Sequence, residues 1–242
     1  MYAIWLIFQR EMATYFLSPL AYLIGAGFLL LTGITFNNDI AFAITVRPPD
    51  PALIPNLLTL LMVLFAPLLT MRLLAEENRE GTLELLLTSP VSDFSVVVGK
   101  FLSAWAYFSI LLLMTLAYQV ILLQITNPDL AHTLGAYIGI WLYAGATLAV
   151  GMVFSALTDS QLLAAFSSLI ALFVLYFGDS VGQIVGSVEV AEVIFQLSLQ
   201  GHFAPSFAVG IIRAEDVVYY AALIVVMLFV AIRVLESRRW RS

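Results

Sequence analysis

The chain has 242 residues, 62% of them hydrophobic and only 11% charged, with a formal net charge of −6 and no cysteine; its mean hydropathy is +1.01. Soluble domains carry about 25% charged residues, so a surface this apolar needs lipid as its solvent. Without thiols there are no disulfides, thiolate metal sites or cysteine nucleophiles, and the acidic balance argues against nucleic acid as a partner.

Residues 4–16 precede the first long apolar run. Ile4, Phe8, Met12 and Tyr15 share one helical face, with Arg10 and Thr14 away from it, and Ser18-Pro19 separates the segment from that run. This pattern predicts an interfacial helix within residues 1–19, carrying Arg10 and Glu11. The alternative is that it simply begins a long first span. The segment lacks the basic start and cleavage site of a secretory signal.

Apolar blocks occupy residues 20–36, 53–74, 96–124, 134–157, 162–177 and 217–235. Most approach the ~20 residues that a helix needs to cross the hydrocarbon, the first and fifth being short. In lipid the backbone must pair within the segment, which requires helix. The blocks do not alternate as barrel strands do. The expected fold is an all-α integral membrane protein with six transmembrane helices.

Every basic residue except Arg47 and Arg213 falls on one side of such a bundle. That asymmetry places both termini in the cytoplasm.

The densest charge cluster lies between the second and third spans, in residues 72–95. Gly81 is placed to end an extension of the second span. Thr82 is a plausible N-cap with Glu84 in the favourable first turn. Pro90 ends a short helix, and Ser92 caps the helix that continues into the third span. Leu83, Leu86 and Leu87 make an apolar stripe on a helix too short to be stable alone. A charged stem, two breakers and exposed leucines describe a docking element for a cytoplasmic partner, whereas the plainer alternative is a solvated loop anchored by its leucines.

Residues 178–212 are apolar but interrupted by Gly178, Gly201 and Pro205, with Glu189 and Glu192 between. They are expected to form short re-entrant or surface helices on the outer side.

Chemistry is scarce. The span interiors are read as lacking Asp, Glu, Lys and Arg, with Lys100 counted in the flank of the third, which argues against ion-coupled transport. Gln119 is expected to make an interhelical hydrogen bond. His132 and His202 have no zinc spacing. Ser109, Ser167 and Ser168 have no base in the spans. Gly99-Lys100 lacks the rest of a phosphate-binding loop. No catalytic residue, metal or cofactor is assigned.

The run Arg79-Glu80-Gly81-Thr82-Leu83-Glu84-Leu85-Leu86-Leu87-Thr88-Ser89-Pro90-Val91-Ser92, followed by Gly99-Lys100-Phe101, resembles the permease subunits of type-2 ATP-binding cassette (ABC) transporters. So do the opening Arg10-Glu11, Tyr15-Phe16 and Ser18-Pro19. With the closing Arg233-Val234-Leu235-Glu236-Ser237-Arg238-Arg239-Trp240, they resemble the branch of gliding-motility-associated permeases.

The resemblance implies a single permease domain over residues 1–242, with a coupling helix in residues 72–95 and short outer helices in residues 178–212. The residues assigned to the ATPase contact are Glu77, Arg79, Glu80, Gly81, Thr82, Leu83, Glu84, Leu86 and Leu87. The implied partners are two copies of an ABC ATPase subunit, a second permease copy or paralogue, an auxiliary extracytoplasmic subunit and membrane lipid. The implied location is the bacterial cytoplasmic membrane and the implied direction is export. A different class remains open: a membrane anchor or scaffold that docks a partner through the same loop without transport.

Overall fold

A computed structural model describes residues 2–43, 50–81, 91–125, 129–184 and 188–239. In chain order the helices are α1 (Tyr2–Leu17), α2 (Pro19–Ala43), α3 (Leu53–Thr70), α4 (Ala75–Arg79), α5 (Asp93–Ile125) and α6 (Leu130–Leu157). They continue with α7 (Gln161–Ile184), α8 (Val188–Leu197), α9 (Leu199–Phe203), a 3-10 turn at Phe207–Val209, and α10 (Ala214–Arg239). The described residues contain no strand, and six of the helical stretches are long and apolar enough to cross a membrane.

The spans run past the apolar blocks. α2 continues through Asn37, Asn38 and Asp39 and offers a 24-residue span, so the first is not short. α7 continues past Gly178 to Ile184, which moves the break in this region several residues downstream. Apolarity marks only the length that lipid demands, whereas a formed helix adds residues at little cost until a breaker arrives.

The breakers act as their chemistry predicts. The chain is nearly helical through Ser18, whose N–H donates to the Thr14 carbonyl at 3.0 Å. Pro19, with no N–H to offer, then starts α2 as a first-turn proline. Gly81 follows α4 with φ +69°, a left-handed conformation that glycine adopts freely. Ser92 caps α5, its Oγ accepting from the Ser95 N–H at 3.3 Å.

α6 is the axis of the bundle. Its span is 78% buried at a hydropathy of 1.8, whereas the span in α10 is 17% buried at 2.5. A helix surrounded by helices needs close contact more than apolarity, and small residues supply it. A Cβ on Gly139 would overlap the Phe207 ring, and one on Gly151 would overlap the Thr70 hydroxyl. α3, α7, α10 and the 3-10 turn all pack against α6.

α5 has 33 residues. At 1.5 Å per residue it is about 50 Å long, well beyond the ~30 Å hydrocarbon core. α1 lies along its first turns, with Ile4 and Ile7 against Gly99 and Tyr15 stacked on Tyr107 at 5.0 Å. α2 lies further along, where the Tyr107 hydroxyl donates to the Ala21 carbonyl at 2.6 Å and Tyr118 to that of Leu29 at 3.3 Å. Gln119 Nε2 donates at 3.0 Å to the Pro51 carbonyl, in the turn before α3.

Candidate functional site

The site lies where α1, the end of α3, α4, the start of α5 and the end of α6 meet. α3 stops at Thr70, three residues after its internal Pro67. The chain turns through residues 71–74 before α4 begins. Ser155, near the end of α6, holds this turn: its Oγ accepts from the Leu74 N–H at 3.0 Å and the Ala75 N–H at 3.2 Å, and donates to the Met71 carbonyl at 3.3 Å. These amides begin a helix and have no intrahelical acceptor, so the hydroxyl satisfies buried donors that would otherwise be bare. α4 then carries Glu76 and Glu77 in its first turn and Arg79 in its last, both favourable to the helix dipole.

Lys100 sits about two turns into α5 and is only 2% exposed. Its ammonium is 2.9 Å from Glu11 Oε1 and 3.0 Å from Glu77 Oε1. Arg10 reaches the same Glu77 oxygen at 3.1 Å. A charge this deep persists only when paired, and here the partners come from α1 and α4. The ammonium therefore ties three helices together. Lys100 lies within the 33-residue helix that carries the third span. Lys100 belongs to α5 itself and not to a flanking loop.

Further bonds surround this hub. Arg72 Nη1 donates to Ser18 Oγ at 2.9 Å, and its Nε lies 3.4 Å from Glu76, linking the stem of α4 to the break between α1 and α2. The Asn78 amide donates to the Asp159 carboxylate in the turn between α6 and α7. Tyr15 donates to the Leu69 carbonyl at 2.8 Å. Burial, and secondarily the Glu11 charge, push the Tyr15 phenol well above its usual range, so it remains a donor. Glu11, Thr14, Tyr15, Leu69, Arg72 and Glu76 border a cavity of about 40 Å³.

Of the residues singled out from sequence, Arg10, Glu11 and Glu77 converge here. Arg79, Glu80 and Gly81 lie exposed at the end of α4. Thr82, Leu83, Glu84, Leu86 and Leu87 lie outside the described residues, and with them the coupling helix. Sequence reasoning missed Lys100, Arg72, Ser155 and the Asn78–Asp159 pair as parts of one joint. The available signal was a lysine directly after a glycine inside an otherwise apolar run.

The arrangement joins three helices through shared charges. Ser109, Ser167 and Ser168 donate to carbonyls of their own helices, the usual fate of a hydroxyl inside a helix. Among the described residues no group of three potential metal ligands gathers.

Six long apolar helices, one of them buried as the axis of the bundle, with an ionic joint at one end, define a multi-pass membrane protein. The profile described as ABC-2 family transporter protein matches residues 7–240, and the chain belongs to that family. It is thus the membrane component of an ABC transporter, a non-catalytic subunit of the kind that pairs with an ABC ATPase. A sequence comparison with curated proteins finds no match.

Proposed function

We propose that this permease couples ATP hydrolysis on a separate subunit to export of a substrate through a two-fold assembly. The observation that carries this reading is the position of Lys100 between Glu77, on the stem of the charged loop, and Glu11, on α1. A pull on that stem is passed to α1 and to the first turns of the third span together. Residues 72–95 act as the coupling loop, with the ATPase contact at Arg79, Glu80, Gly81 and the leucine stripe. Residues 178–212 form the outer segment, and both termini lie in the cytoplasm. Two coupling loops are needed for two ATPase subunits, and closed two-fold symmetry favours a homodimer over a paralogue pair. The resemblance to gliding-motility permeases and an auxiliary outer subunit belong to the same reading.

The test uses the permease in lipid nanodiscs with its cognate ATPase. Alone it should hydrolyse no ATP; together they should form a complex containing two of each subunit by native mass. Gly81→Pro should uncouple hydrolysis from transport while the complex still assembles, because proline cannot adopt φ +69°. Full transport by that variant would remove the coupling role. A fully active assembly with no nucleotide-binding subunit would favour the scaffold reading.

A further inference from the structure

At the opposite end of the bundle from Lys100, three segments meet on one imidazole. α8 ends at Leu197, and Ser198 turns the chain and caps α9, its Oγ accepting from the Gly201 N–H at 3.3 Å. His202, on α9, points its Nδ1 at Asp216 Oδ1 of α10, 2.8 Å away. Its Nε2 points at the Gln196 carbonyl of α8, 3.1 Å away. The ring lies flat on Tyr219, with centroids 3.8 Å apart. Tyr219 donates to the Leu197 carbonyl at 2.8 Å, and Tyr220 to that of Leu199 at 2.7 Å.

Both ring nitrogens therefore face oxygen. A carbonyl is only an acceptor, and so is an ionised carboxylate, whereas a neutral imidazole has a single N–H. Making both bonds requires one proton more than neutral histidine and ionised aspartate hold between them. Asp216 is 4% exposed, and its Oδ2 has no partner among the described residues. A buried carboxylate so poorly satisfied depends on a cationic neighbour.

We propose that His202 and Asp216 form a one-proton latch that fastens the end of α8 to α9 and α10. With the proton bound, the imidazolium donates to Asp216 and to Gln196. When the proton leaves, the remaining N–H stays with the buried carboxylate, and the lone pair on Nε2 faces the Gln196 oxygen. That contact turns from attraction to repulsion, and α8 loosens at residues 196–199. Imidazole is the side chain that gains and loses charge within the physiological range, so the latch closes in acid and opens as pH rises.

Arg213, which precedes α10, and Glu215, in its first turn, are exposed and lie 3.6 Å from each other. On α8, Glu189 and Glu192 are exposed. On α6, His132 Nε2 engages the Ala208 carbonyl at 2.8 Å.

The latch is independent of the coupling mechanism, and it is tested on the full chain in nanodiscs without an ATPase. The chain has two histidines, so ¹⁵N-histidine labelling of a His132→Gln variant isolates His202. Both ring nitrogens should be protonated in acid, and one should lose its proton as pH rises. Across the same transition, amide exchange in residues 188–199, corrected for its intrinsic pH dependence, should speed up by about tenfold, as loss of one charge-assisted hydrogen bond implies. Asp216→Asn should move the His202 transition to lower pH, and His202→Gln should abolish the step in exchange. A His202 ring that stays singly protonated throughout, or an exchange step that survives in His202→Gln, would overturn the proposal.

Discussion

Lys100 and Glu11 stand 89 positions apart in the chain, and their charged atoms are 2.9 Å apart. The contact closes a loop that contains both the first and the second span. Because Glu77 shares the same ammonium and also meets Arg10, the charges form one network, and removing Lys100 leaves Glu11 buried without its partner.

Lys100→Met should therefore destabilise the permease by about 3–5 kcal/mol, the penalty for stripping a buried ion of its partner. Adding Glu11→Gln and Glu77→Gln should restore much of that loss, since the unmatched charges are gone. Thermal unfolding of the single and triple variants in nanodiscs measures both. Equal destabilisation in the two would show that the side-chain volume matters and the charge does not.

Ser155→Ala removes the acceptor for the Leu74 and Ala75 N–H groups. Unsatisfied buried donors cost about 1–3 kcal/mol each, and the local consequence is a less ordered α4. Amide exchange at residues 74–81 should rise while the spans stay protected. Unchanged exchange there would remove Ser155 as the support of this turn.

Tyr15 supplies a stability term that depends on alkaline pH. Its folded-state value lies above the 10.0 of an unperturbed phenol. Below pH 10 the phenol is protonated in both states and the contribution is complete. Above it the unfolded chain releases the proton first, and stability falls as pH rises. Tyr15→Phe should lose about 1 kcal/mol for the hydrogen bond to Leu69 and flatten this alkaline decline. Chemical denaturation between pH 8 and about 11 reads both effects. An identical slope in the variant would mean that another group sets it.

The orientation is testable because the chain has no cysteine of its own. Cysteines placed at Asn78 and Ser242 should react with an impermeant thiol reagent only after cells are opened. Cysteines at Pro49 and Gln200 should react in intact cells. Labelling of position 78 from outside would invert the arrangement.

The spans were legible because lipid imposes a long apolar run on any helix that crosses it. Ser18-Pro19, Gly81 and Ser92 were legible because breakers and caps act within a few residues. The joint was not, because its partners are distant in sequence. Lys100 looks like a flanking charge until Glu11 and Glu77 are seen beside it. Helix ends were also missed, as at Asn37 to Asp39, where polar residues continue a helix that hydropathy alone would stop. Ser155 gave no signal at all, since a serine near the end of a span usually bonds its own helix.

The burial of α6 has a consequence for how the protein is made. Chains emerge from the N-terminus, so α6 reaches the bilayer before α7 and α10 exist to cover it. Until then its glycine-lined faces, fitted to Phe207 and Ile224, have only the earlier helices to meet. α10 packs on α6 more extensively than any other helix does. The sixth span is therefore the one that completes the enclosure of the fourth, and a chain released before it leaves its axial helix open to lipid and to the quality-control machinery that inspects unfinished membrane proteins.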